Sequence, residues 1–204
     1  MNKVSSIFHR AFIYDRRMSQ LHKHLSEIIS EFKCKCVLDI GAGDGKIDKM
    51  IEDAISTNIT GIDVLVRDET YIPITEYDGT HINSDDNSIE ATMMIHVLHH
   101  TEDPSVVFKE AVRVSNKYII IKDHLLSNKL SYLKLKAMDY VGNKHYSVNL
   151  PYNYLTKKDW DKLFEDSNVE MITCKTNLKL YGGIFHLLFD RNLHFIAILK
   201  KGDN

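Results

Sequence analysis

Two sets of residues have the types and spacing for chemistry. The first is Asp39-Ile40-Gly41-Ala42-Gly43-Asp44-Gly45, with three glycines at alternate positions, Asp63 standing 22 positions after Gly41, and Asp78-Gly79 beyond it. Glycines in such a turn allow positive φ and let a ligand approach the backbone without meeting a Cβ. A helix opening after the turn has N–H groups that can donate to an anionic or polar ligand. An acid about 20 residues further on is placed to accept hydrogen bonds from ribose hydroxyls. The pattern reads as a nucleotide-type binding loop. The second set is His96, His99, His100, Asp123 and His124. Imidazoles titrate near neutrality and can take or give a proton. His100 and His124 are the candidate catalytic groups, with Asp123 as an orienting partner. Histidines this close also raise a metal reading. On an extended segment, however, neighbours alternate sides, so His99 and His100 would not share one ion and no metal site is expected.

Elements to position these groups are readable along the chain. Residues 7–32 carry apolar side chains at helical spacing from about Asp15 onward, which predicts one or two helices. Val37 to Ile40 reads as a strand, the stretch from Lys46 to Ile55 as a helix, and Asn58 to Asp63 as a second strand ending in an acid. Residues 64–76 contain Pro73 and lack helical periodicity, so the crossover there is short or absent before a brief strand ending near Tyr77-Asp78-Gly79. Glu90 to Val97 and Tyr118 to Lys122 read as strands around a helix opened by Pro104. Ser127 to Val141 reads as a helix, and Gly142 to Leu155 as a loop rich in Tyr and Asn. Thr156 with Asp159 three positions later starts another helix. Two strands, Val169 to Lys175 and His194 to Lys200, close the chain. The alternation predicts a Rossmann-like α/β fold: a doubly wound, mainly parallel seven-stranded sheet with flanking helices in a single domain. Ligands bind such sheets beyond the carboxyl ends of the strands. Asp39, Asp63, Asp78, His96 to His100, and Asp123 with His124 all fall at that edge.

Composition narrows the classes. The 204 residues suit one domain, and 44% hydrophobic with 26% charged content is that of a globular protein. A net charge of −2 supplies no basic field for a phosphate backbone, which argues against a nucleic-acid partner. No apolar run has the length of a membrane span and the first residues lack a secretory signal, so a cytoplasmic protein without a membrane partner is expected. Cys34 and Cys36 point to opposite sides of a strand and Cys174 stands far off, so reduced thiols are expected.

Charge separates the nucleotides that the glycine turn could hold. Asp39 and Asp44 beside the turn serve a pyrophosphate poorly, but they suit a ligand carrying an ammonium and a sulfonium. The spacing is also Gly-x-Gly-x-Gly rather than Gly-x-Gly-x-x-Gly. S-adenosylmethionine is therefore favoured over a dinucleotide. Val37-Leu38-Asp39-Ile40-Gly41-Ala42-Gly43-Asp44-Gly45 and Gly61-Ile62-Asp63-Val64 resemble the first two motifs of class I S-adenosylmethionine-dependent methyltransferases. Asp78-Gly79, Asp85 to Glu90, Val97-Leu98-His99-His100 and Glu110-Ala111-x-Arg113-Val114 resemble motifs of the small-molecule branch of that family. The match covers about residues 35–125. The resemblance implies that Asp39, Gly41, Ala42 and Gly43 meet the methionine part. It places Asp63 and Val64 at the ribose, Asp78 and Gly79 at the adenine, and His96 and Val97 at the sulfonium. Asn83-Ser84 and Glu90 depart from the usual Pro-Phe and Asp, and are expected to alter packing near the adenine.

The expected activity is methyl transfer to an oxygen or nitrogen of a small organic molecule. Residues 1–34 would form a helical cap, 35–125 the cofactor-binding core and 126–204 the substrate-side half. The segment from Met138 to Tyr154 would be a lid, and an arginine near Tyr14 could pair with the methionine carboxylate. The rival readings are an RNA or protein methyltransferase and a non-catalytic S-adenosylmethionine-binding module.

Overall fold

The computed structural model describes residues 3–143 and 151–202. The chain opens with one unbroken helix, α1 (Lys3–Glu31), whose Leu21, Leu25, Ile28 and Ile29 are buried at the spacing of a single face. There follow β1 (Cys36–Ile40), α2 (Lys46–Ala54), β2 (Asn58–Asp63), β3 (Ile74–Glu76), β4 (Ile89–Ile95), α3 (Pro104–Val114) and β5 (Ser115–His124). The second half contributes α4 (Lys129–Asn143), α5 (Lys157–Asp166), β6 (Val169–Lys175), α6 (Gly183–Phe189) and β7 (His194–Lys201). No helix intervenes between β2 and β3, as the lack of periodicity there implied. Local chemistry sets several boundaries. Asp103 accepts from the Ser105 amide ahead of Pro104, and Thr156 and Asp159 form a reciprocal capping box. Of the expected loop after α4, residues 144–150 lie outside the described residues.

The seven strands lie in the order β3-β2-β1-β4-β5-β7-β6, and β7 is antiparallel to both of its neighbours while the other pairs are parallel. The order reverses between β1 and β4, the switch point where a crevice opens beyond the strand ends. Alternate residues of each strand feed two cores, one per face. Ile119 and Ile121 of β5 join Phe195, Ala197 and Leu199 of β7 beneath α3 and α5. Ile120 with Ile196 and Ile198 packs on the other face with α1 and α2. Both faces of the central strands are thereby dry, as parallel strands require.

No described helix is long and apolar enough to cross a membrane. The described cysteines are free thiols, with Cys34 buried and Cys36 and Cys174 exposed. Glu90 corrects the expectation made for it. Its carboxylate accepts from the amides of Lys35 and Cys36 and from Lys117 Nζ, at the amino edge of the sheet and away from the strand ends that face a ligand.

Candidate active site

At the switch point Gly41, Gly43 and Gly45 have φ of 77°, 65° and 73°. At Gly41 the need for glycine is also steric, because a Cβ would stand 2.6 Å from Val97 Cγ2. Several amides of the turn are engaged within the protein. Gly41 and Ala42 donate to Ile62 O, Gly43 to Asp63 Oδ2, Gly45 to Ala42 O and Lys46 to Asp44 Oδ1. That leaves fewer donors for an anion than the bare turn would offer, which fits a ligand that needs few. Asp39 and Asp48 are both buried, and neither Asp39 Oδ1 nor either Asp48 oxygen has a donor among the described residues. Burial and the mutual repulsion of the two carboxyls push Asp39 well above the usual carboxylate range, and burial brings Asp48 to about 7. Such orphaned acceptors beside the glycine turn suit a ligand ammonium.

The second strand end continues the crevice. Asp63 accepts from the Gly43 amide on one oxygen and from the Leu65 amide on the other, which ties the turn to β2 and leaves lone pairs for ribose hydroxyls. Val64 is largely exposed beside it, and a Cβ on Gly79 (φ 82°) would stand 3.0 Å from Val64 Cγ1. Asp78 is exposed and organises its own turn by accepting from the amides of Thr80 and His81. These hydrogen bonds hold its carboxyl below the ordinary range.

Beyond β4 and β5 lies a buried chamber filled by packed imidazoles. His96 follows β4 with φ 60°, and its Nε2 accepts from Arg17 Nη2 of α1 at 2.8 Å and from Lys122 Nζ at 2.5 Å. Lys122, fully buried in β5, also donates to His194 Nδ1 at 3.3 Å, and His194 Nε2 donates to Phe189 O. His194 of β7 stands directly opposite His124 of β5. Burial, reinforced by neighbouring cationic groups, pushes His96, His124 and His194 well below the usual histidine range and Lys122 well below the usual lysine range. These three imidazoles are thereby held neutral.

The segment after His96 is a short 3-10 turn, Leu98–His100, not an extended stretch. The turn sends His99 inward, where Nδ1 donates to Asp123 Oδ1 at 2.5 Å. Burial alone would raise Asp123, but His99 and His124 hold its carboxyl below the ordinary range. His99 Nε2 and both ring nitrogens of His124 have no hydrogen-bond partner among the described residues. Asp139 of α4 stands against both rings, 3.4 Å from His99 Nε2 and 3.5 Å from His124 Nε2, and Tyr154 donates to it at 2.5 Å. Tyr154 stacks on His99.

Sequence reasoning placed Asp39, Asp63, His96, Val97, Asp123 and His124 at this edge, and the structure brings them there. It preferred His100 to His99, which an assumed extended backbone cannot tell apart. His99 is the buried one of the pair, and the half-buried His100 ring packs against it at 45°. Lys122, Asp139 and His194 were missed. A charged residue directly after a run of three isoleucines, as at Lys122, was the available signal.

Residues 38–118 match the model of the methyltransferase-domain family. No curated protein is significantly similar in sequence. Among solved structures, the PH0226 protein from Pyrococcus horikoshii OT3 superposes with a TM-score of 0.65 at 17% identity, over 92% of this chain and 91% of the other. Magnesium protoporphyrin IX methyltransferase from Synechocystis PCC 6803, solved with bound S-adenosylhomocysteine, gives 0.64 at 12% over 99% and 89%. A SAM-dependent methyltransferase from Methanosarcina mazei gives 0.60 at 18% over 84% and 94%.

Proposed function

We propose that this chain, a class I S-adenosylmethionine-dependent methyltransferase by its fold and its methyltransferase domain, methylates an oxygen or nitrogen of a small organic molecule. The observation that carries the acceptor class is the chamber beyond β4 and β5. It is buried, lined by His96, His99, His124, His194 and Tyr154, and closed by α1, α4 and the 151–155 segment. Asn153 fastens that segment to the turn after β4, its amide donating to His99 O and its side chain to Thr101 O. An acceptor site made of buried side chains beneath these elements suits a molecule of metabolite size better than a polymer.

S-adenosylmethionine supplies an activated methyl group, so the chain's residues need only hold the partners in line and accept a proton. Asp39, Gly41, Ala42 and Gly43 hold the methionine part, Asp63 and Val64 the ribose, Asp78 and Gly79 the adenine. His96 and Val97 face the sulfonium. Arg17, on the cap helix, bonds His96 and faces the methionine end. His99, oriented by Asp123, joins His124 on the acceptor side, and His100 supports the wall behind them.

Calorimetry with S-adenosylmethionine and S-adenosylhomocysteine tests the cofactor half, and failure to bind either sinks it. Turnover over a panel of phenols, amines and carboxylic acids tests the acceptor. Activity confined to bulk RNA or protein would overturn the small-molecule assignment, and binding without turnover of anything would favour a non-catalytic module. His99→Ala should lower kcat by about 10²–10⁴-fold while leaving cofactor affinity within a few-fold.

A further inference from the structure

We propose that His99 Nε2, His124 Nε2 and the Asp139 carboxylate form a zinc site on the acceptor side of the chamber. The inference rests on the methyltransferase reading and specifies how the acceptor is held. The starting observation is electrostatic. His99 Nδ1 donates to Asp123, so in the neutral ring Nε2 carries a lone pair, and that lone pair looks at Asp139 Oδ2 from 3.4 Å. His124 Nε2 looks at the other oxygen, Oδ1, from 3.5 Å. Neither Nε2 has a hydrogen-bond partner among the described residues, although both rings are buried. With the His124 proton on Nδ1, its Nε2 turns a lone pair to the same buried region, and a cation bound there would take up both nitrogens and the carboxylate.

The distances suit zinc. Two ligand atoms each about 2.1 Å from a tetrahedral centre stand about 3.4 Å apart, the separation found here. Two nitrogens and one carboxylate are the donor set of an open zinc site whose fourth position takes water or a substrate oxygen. Outer contacts are also in place. Asp123 fixes the tautomer and plane of His99, as a carboxylate does behind a metal-bound imidazole, and Tyr154 donates to Asp139 Oδ2. His96 and Asp123 have ligand-type atoms within 4.8 Å of those of His99 and His124, but both are engaged elsewhere. Arg17 and Lys122 donate to His96 Nε2, and His99 and the His124 amide donate to Asp123 Oδ1. Arg17 and Lys122 thus stand on the His96 side, and the two Nε2 atoms on the other. A zinc held there would receive the acceptor through its hydroxyl or amine, so the acceptor class narrows to small molecules with a metal-coordinating group.

The full chain, stripped with a chelator, should bind one equivalent of zinc in competition with a chromophoric chelator. With cobalt it should give the absorption of a tetrahedral N/O site. His99→Ala and Asp139→Ala should each weaken zinc binding at least 100-fold, and Asp123→Asn about 10–100-fold. His100→Ala should leave zinc affinity within 3-fold. Absence of stoichiometric zinc binding by the wild-type chain would overturn the proposal without reference to any variant, and would favour an imidazolium bridging Asp123 and Asp139. Equal loss in the His100 and His99 variants would overturn it too. Calorimetry of the stripped chain with S-adenosylmethionine keeps the two readings apart. Cofactor binding without zinc binding removes only the metal site, whereas loss of cofactor binding removes the methyltransferase reading.

Discussion

Asp48 and Asp39 are the residues whose burial most needs explaining, because two carboxyls share a dry site with no cation beside them among the described residues. Asp48 is raised from its ordinary 3.8 to about 7, chiefly by burial. The folded chain therefore binds a proton across that interval that the unfolded chain has released, and stability from this group falls as pH rises from about 4 to 7. Asp48→Asn removes the cost. Its urea-unfolding free energy should gain on the wild type by about 1.4 kcal/mol per pH unit between pH 4 and 7, with no further gain above 7. Parallel stability curves for the two proteins would refute the assignment. Gly41 makes a second test at this scale. Gly41→Ala places a Cβ 2.6 Å from Val97 Cγ2 at a φ of 77°, so it strains the turn and displaces a wall of the crevice. It should destabilise the fold by about 1–3 kcal/mol and weaken S-adenosylmethionine binding more than tenfold, read by thermal unfolding and calorimetry. The need for glycine at Gly41 was legible from the spacing alone. The pairing of Asp39 with Asp48 was not, because Asp48 reads as an ordinary acid in the first turn of α2.

Elements announced by local chemistry were legible, and those shaped by distant partners were not. Pro104 and the Thr156–Asp159 box mark helix starts that need nothing beyond their own turns. β5 is longer than its apolar run because pairing with β7 carries it through Asp123 and His124. The turn Leu98–His100 likewise depends on contacts that no local pattern records, and it decides which histidine enters the chamber. Arg113 shows how a motif residue can serve an element instead of a ligand. It donates to Glu110 within α3, to the carbonyls of Ile82 and Ser84, and to Asp86, so it clamps the loop before β4 onto α3. Arg113 is the first cause holding the Glu110 carboxyl down to about 2. Arg113→Ala should cost about 2–3 kcal/mol in urea unfolding, since two carbonyls and a largely buried carboxylate lose their donor together. Asp86→Ala, removing the exposed member of the same group, should cost less than about 1 kcal/mol.

At the scale of the molecule, the chamber belongs to no single stretch. Arg17 comes from α1, His96 and His99 from the end of β4, Lys122 to His124 from β5, Asp139 from α4, Tyr154 from the segment before α5, and His194 from β7. The proposed cofactor core at 35–125, cap at 1–34 and substrate-side half at 126–204 would divide ligand contacts between parts of one domain, whose cores they share. Ile119, Ile120 and Ile121 have no exposed surface in the whole chain, and each is covered by β7 or by helices outside 35–125 as well as within it. Cutting at 125 would bare the β7 side of β5, a run of three isoleucines with unpaired backbone groups, which is an aggregation edge. Removing α1 would uncover the sheet face at Val37, Ile59, Ala91 and Met93. At about 25 cal/mol per Å² of apolar surface, such losses exceed the whole stability of a typical domain. A 35–125 fragment should therefore be unfolded or aggregated, with no S-adenosylmethionine binding by calorimetry and no dispersed amide spectrum. The full chain should unfold in one transition by far-ultraviolet dichroism and by fluorescence of Trp160, which is buried between Phe164 and Phe195. A folded, cofactor-binding fragment would mean that the glycine turn and its acids can be assembled without the chamber, and that cofactor and acceptor sites are built by independent parts of the chain.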